Sequence, residues 1–177
     1  RDLKLVRPDM VIFGIGINDA NGPNFDSAVF HRNYRRLIDS IRVVNPDCAF
    51  VFITNNDCFR KVKRHTYAVN NNGPLVRQVF YSLAEETKGA VWDQFEVMGG
   101  LKSMDKWRLD KLAQTDRIHF TRAGYELVGD LFANAMFQAF NDYREKISLK
   151  PGNTNSIKKK TLKPQSNSNE RSVYLSY

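Results

Sequence analysis

Met10-Val11-Ile12-Phe13-Gly14-Ile15 is an unbroken apolar run, partly β-branched and lacking the alternation of a half-exposed strand. A run of this length and pattern reads as a strand buried on both faces, and such strands belong to parallel sheets. Pro8 precedes the run, and a loop rich in Gly and Asn follows it. Asp26 then stands where a helix N-cap belongs, ahead of Phe30, Tyr34, Leu37, Ile38 and Ile41 at three- and four-residue spacing. Arg32, Arg35, Arg36 and Asp39 occupy the opposite face. Asn45-Pro46-Asp47 ends the helix as a turn, and Ala49-Phe50-Val51-Phe52-Ile53-Thr54 repeats the buried-strand pattern. Strand, helix and strand form one βαβ unit.

The alternation continues along the chain. A polar loop is expected from Asn55 to Asn72, after which Gly73-Pro74 opens a helix carrying Val76, Val79, Phe80, Leu83 and Ala84 on one face, and Gly89 stops it. Ala90-Val91-Trp92 reads as a short third strand, and Asp93 to Thr115 as a long loop of the kind that carries function. Thr121 is the expected N-cap of the last helix, whose apolar stripe runs through Tyr125, Val128, Leu131, Phe132, Ala135, Met136, Ala139 and Phe140 to about Tyr143. The fold class is therefore α/β, with binding residues expected on loops at the carboxyl ends of the strands. Three strands are few for such a sheet, so its first strands are expected to precede Arg1. On this reading residues 1–147 are the C-terminal part of one domain, and residues 148–177 are a basic Ser/Asn/Lys-rich flexible tail or linker.

Composition narrows the partners. With 177 residues, 42% hydrophobic and 26% charged, the profile is that of a globular domain, and no apolar run approaches the roughly 18 residues of a membrane span. The net charge of +8 invites a polyanion, yet residues 148–177 hold six basic side chains against one acid and so account for +5 of it. No aromatic residues interleave with Lys158-Lys159-Lys160, and no nucleic acid is expected as a partner. An interaction protein that binds anionic polymers through this tail is one rival reading. Cys48 and Cys58 flank a strand too long for a disulfide, and His31, His65 and His119 are scattered, so neither a redox compartment nor a metal site is indicated.

Two segments could carry chemistry. Gly14-Ile15-Gly16-Ile17-Asn18-Asp19 lacks the third glycine of a dinucleotide loop, but an Asn amide at a strand's carboxyl end can donate to a developing oxyanion. Alone, a pair such as Asn18-Asp19 after a glycine is more often only turn chemistry. In Asp116-Arg117-Ile118-His119 the carboxylate can fold back onto the ring, fix its tautomer and leave the other nitrogen free as a base. A capped helix start with a half-exposed histidine is the plainer alternative.

Together, in this order, the two segments resemble the SGNH/GDSL family of serine esterases and lipases. Gly16-Ile17-Asn18-Asp19 matches the family's Gly-x-Asn-Asp block, and Asp116-Arg117-Ile118-His119 its Asp-x-x-His block; the likeness runs from about Pro8 to Phe140. It implies a three-layer α/β/α sandwich of the flavodoxin-like SGNH type. It also implies an oxyanion-hole donor at Asn18 beside Gly16, a general base and acid at His119, an orienting carboxylate at Asp116, and a structural role for Asp19. No metal or organic cofactor is implied. Trp92-Asp93, Met98-Gly99-Gly100, Ser103-Met104 and Trp107 look like the subgroup that removes O-acetyl groups from peptidoglycan and related glycans. That likeness implies an acetylated glycan as substrate and the cell envelope or a secreted location. Trp92 and Trp107 are then candidate substrate contacts, or simply packing aromatics. The family's Gly-Asp-Ser nucleophile block is absent here, and neither Ser27, at a helix start, nor Ser103, in a loop, follows a buried strand. The nucleophile is expected upstream of Arg1, and the fragment alone is expected to be inactive. A lipase-like acyl esterase and a non-catalytic glycan-binding module on the same scaffold are the alternatives.

Overall fold

The computed structural model describes residues 2–148 and the backbone of residues 175–176. In chain order the elements are α1 (Asp2–Val6), β1 (Met10–Phe13), α2 (Ile17–Ala20), α3 (Ser27–Arg42), β2 (Ala49–Ile53), β3 (Phe59–Lys63), β4 (Thr66–Val69), α4 (Gly73–Thr87), β5 (Ala90–Trp92), α5 (Gln94–Val97), α6 (Ser103–Leu109), α7 (Arg122–Ser148) and β6 (Leu175–Ser176). β1, β2 and β5 pair in parallel and in that order. The result is a three-layer α/β/α arrangement around a parallel sheet, as the apolar runs require.

Alternation along the strands assigns the two faces. Phe13, Phe50, Phe52 and Val91 point to one side, where they pack with Phe30, Tyr34, Ile38 and Ile41 of α3 and Val76, Phe80 and Leu83 of α4. α3 starts where expected, because the Asp26 carboxylate accepts hydrogen bonds from the Ala28 and Val29 amides at 2.8 and 3.0 Å. Leu37, expected on the buried stripe, lies at its edge and is partly exposed. α4 ends on Lys88 in the left-handed region, so Gly89 is not the terminator itself. Gly89 is required for another reason: a Cβ there would meet the Phe50 carbonyl oxygen at 2.7 Å.

The opposite face is covered mainly at one end, where the Trp92 ring packs 5.1 Å from that of Phe132 on α7. Met10 and Ile12 of β1 stay half-exposed, and so do Tyr125, Phe137 and Phe140 of α7. The apolar stripe of the last helix is thus only partly buried, against expectation. The helix also runs on to Ser148. The flexible tail expected from residue 148 onward otherwise lies outside the described residues, apart from the backbone of Leu175–Ser176, which pairs antiparallel with β5.

Two expected loops contain regular structure. The 55–72 segment contains the antiparallel hairpin β3–β4, with a bulge between Lys61 and Lys63 and His65 at φ 62° in the turn. No Asn-Gly or Gly-Gly pair marks that turn, which hid it from the sequence. The 93–115 segment folds into α5 and α6, the first capped by Asp93 through the Glu96 amide at 3.2 Å. A second apolar cluster, Phe59, Met98, Met104, Ala113 and Phe120, holds the hairpin and α6 together. Cys48 and Cys58 are buried and unpaired, and no helix among the described residues is long and apolar enough to cross a membrane.

Candidate active site

Gly16 turns the chain from β1 into α2. Its φ of 115° is left-handed, and a Cβ would lie 2.8 Å from the Tyr34 hydroxyl and 2.9 Å from Phe30. Tyr34 fixes the same corner by donating to the Ile15 carbonyl at 2.7 Å. Gly16 is therefore a buried conformational requirement, which leaves Asn18 exposed on the short helix with no hydrogen bond from its amide among the described residues. Asp19, expected to hold this loop, makes no hydrogen bond through its carboxylate among those residues. Its place is taken by two asparagines that the sequence did not single out. Asn70 donates to the Ala20 carbonyl at 3.1 Å, and Asn72 donates to Ala20 and Gly22 at 2.9 and 3.0 Å.

Asp116 folds back on His119 as the spacing requires. One carboxylate oxygen lies 2.7 Å from His119 Nδ1, and the other accepts from the Ile118 and His119 amides at 2.9 and 3.0 Å. Partial burial pushes the Asp116 carboxyl up, but the bonds from the His119 ring and the two amides outweigh it and hold the group below the ordinary carboxylate range. The imidazole side chain is 57% exposed, so Nε2 is open to a reactant.

The loop around this pair is fixed from several directions. The Gln114 backbone N–H donates to the His119 carbonyl at 2.8 Å and so closes the loop. Arg117 sits at φ 59°, a conformation that costs a non-glycine residue energy. Its guanidinium lies 5.2 and 4.7 Å from the Phe59 and Tyr67 ring centroids and pairs with Asp105 at 3.3 Å. The Phe59 amide donates to the Arg117 carbonyl, and Asn56 donates to the Ile118 carbonyl, both at 3.0 Å. Asn56 follows β2 closely and lines a cleft at the carboxyl edge of the parallel sheet together with Gly14, Ile17, Ile53, Thr54, Asn55 and Gln94, so the Asp116–His119 loop is tied to this cleft through Asn56 and α2 reaches it through Ile17. Asn55 Nδ2 is buried there without a partner.

Beneath the cleft, Asp93 organises a network absent from the sequence reading. It accepts from Thr54 Oγ1 at 3.0 Å, Arg77 Nε at 2.6 Å and Tyr81 Oη at 2.9 Å. Trp92 beside it is 1% exposed and packs as a core aromatic, presenting no face to a ligand. Trp107 is half-buried, donating to the Met98 carbonyl at 3.0 Å with its ring 5.3 Å from that of Phe120. Ser27 opens α3, and Ser103 is buried at the start of α6. Neither stands at the carboxyl end of a strand.

A family model of GDSL-like lipases and acylhydrolases matches residues 1–127. The chain belongs to this GDSL-like lipase/acylhydrolase family. No curated protein matches it. Among solved structures, it is similar to a peptidoglycan O-acetylesterase at 23% identity and TM-score 0.71, with 80% of this chain and 40% of that one covered. The lipase/acylhydrolase from Enterococcus faecalis matches at 23% identity and TM-score 0.54, covering 73% of this chain and 62% of that one. An acetyl xylan esterase matches at 18% identity and TM-score 0.53, covering 70% and 65%. The chain thus spans less than two thirds of the length of these structures, and at such identities the likeness is one of fold. Members of this GDSL-like family are ester hydrolases, and the Asp116–His119 pair lies inside the matched residues.

Proposed function

We propose that this chain carries the acid–base half and an oxyanion donor of a serine-type ester hydrolase that removes O-acetyl groups from glycans. The observation that carries the reading is the 2.7 Å contact between Asp116 and His119 Nδ1, which leaves the exposed Nε2 free to exchange a proton. The nucleophile in this reading is a serine outside the described residues, because no described serine stands at the carboxyl end of the parallel strands β1, β2 and β5. That serine attacks the acetyl carbonyl as His119 Nε2 takes its proton, Asp116 stabilises the imidazolium, and the free Asn18 amide donates to the oxyanion. Collapse expels the sugar oxygen, protonated by His119, and water then releases acetate from the acyl-enzyme by the same steps.

Two of the similar structures are named for esters on polymers, peptidoglycan and xylan. The polar side chains around the cleft favour a polar substrate over an acyl lipid. A cell-envelope or secreted location goes with a glycan substrate. The test is turnover of a simple acetyl ester by the full-length protein: His119→Ala should lose at least about a hundredfold, as expected for removal of a general base. Turnover at the wild-type level would exclude the assignment.

A further inference from the structure

The β3–β4 hairpin carries Arg60, Lys61, Lys63 and Arg64, and no acidic residue occurs between Cys58 and Asn72. None of the four makes an ion pair among the described residues. Other cations around the domain are neutralised, including Arg35 by Asp39 and Glu86, Arg77 by Asp93, and Arg108 and Arg117 by Asp105. Residues 1–147 hold a net charge of only +3, so these four positive charges exceed the net charge of the whole folded part. The Nε of Arg60 is also buried without an acceptor.

Charge runs are usually just solvated, but this one is mounted rigidly and beside the site. A two-stranded hairpin alone is marginal in water. Here Phe59, Tyr67 and Val69 pack into the second apolar cluster, and Arg117 stacks on Phe59 and Tyr67. Its root bonds directly to the Asp116–His119 loop through the Phe59 amide, and the residues after its return strand bond to α2 through Asn70 and Asn72. From that root to Lys63 is about 13 Å of extended chain, at roughly 3.3 Å per residue.

We infer that the hairpin is a docking arm for an anionic glycan, seating carboxylates of neighbouring sugar units while an acetylated unit occupies the cleft. The inference rests on the glycan-esterase reading and narrows its substrate to polymers bearing repeated negative charge. Binding of the full chain to polygalacturonate, with neutral xylan and duplex DNA as comparison polymers, tests it without requiring turnover. Polygalacturonate should bind more tightly than either, and the binding should fade toward about 1 M salt, where the Debye length is about 3 Å. Lys61→Glu combined with Lys63→Glu and Arg64→Glu should weaken it by about tenfold or more, and the Gln versions less, consistent with a few exposed ion pairs. A polygalacturonate affinity unchanged in both variants, or duplex DNA bound equally tightly, would overturn the inference. Because binding and acetyl-ester turnover are read separately, a chain that binds through the hairpin yet hydrolyses nothing retains the docking arm and loses the enzyme reading.

Discussion

The Asp116–His119 pair was legible because it is local: a carboxylate three residues before a histidine needs only one turn of chain to reach it. Since Asp116 is held below the ordinary carboxyl value of about 3.9, its contribution to stability is present above that value and is lost as the pH falls through the lower folded one. Asp116→Asn should therefore be less stable than the wild type at neutral pH, with the gap closing below about pH 4 in denaturant titrations at stepped pH. A constant gap would mean that the carboxylate charge is not what His119 holds. At Asn18, the proposed oxyanion donor, replacement by Ala should cost roughly 3 kcal/mol of transition-state stabilisation, seen in kcat; a change in KM alone would overturn that proposal. Gly16 answers to a different constraint. Gly16→Ala should cost about 1–3 kcal/mol in urea unfolding, because φ is 115° and the added methyl meets Tyr34 and Phe30. Asn56, Asn70 and Asn72 could not be picked out beforehand, since their partners are backbone carbonyls 50 or more positions away.

Elements with strong periodicity were the readable ones. α3, α4, β2 and β5 lie where their apolar spacing puts them, because burial on one helical face or on both strand faces leaves a distinct pattern. The hairpin was missed because no glycine pair marks its turn, and α5 and α6 because they are too short for an apolar stripe, although Gly99 and Gly100 at φ 106° and 71° mark the turn between them. Their positions are set by contacts made elsewhere, as Asp93 shows by capping α5 while tying Thr54 to Arg77 and Tyr81. Asp93→Ala should cost about 3 kcal/mol, since it leaves a partly buried guanidinium and two hydroxyls without their acceptor. Urea midpoints at unchanged m would measure it, and a loss under about 0.5 kcal/mol, the level of an ordinary surface substitution, would show that the network does not brace the cleft.

For the molecule as a whole, the sheet is buried unequally. One face is sealed by α3 and α4, while the other meets α7 chiefly at β5. Amide exchange should accordingly be slowest in Phe50–Phe52 and the facing turns of α3 and α4, and much faster in α7 beyond Ala139, where Phe140 and Tyr143 are exposed. Uniform protection along α7 would contradict this ordering. Spacing along the chain was enough for the order β1, α3, β2, α4, β5 and α7, for the parallel pairing of β1, β2 and β5 and for the Asp116–His119 contact, because each depends on residues within a few turns of one another. Folding decided that Trp92 is core, that the segment after β2 is a charged hairpin, and that Asn56 ties the start of that segment to the Asp116–His119 loop while Asn70 and Asn72 tie its end to α2. Those outcomes depend on which distant backbone groups need partners once the sheet has formed, and no local pattern encodes that.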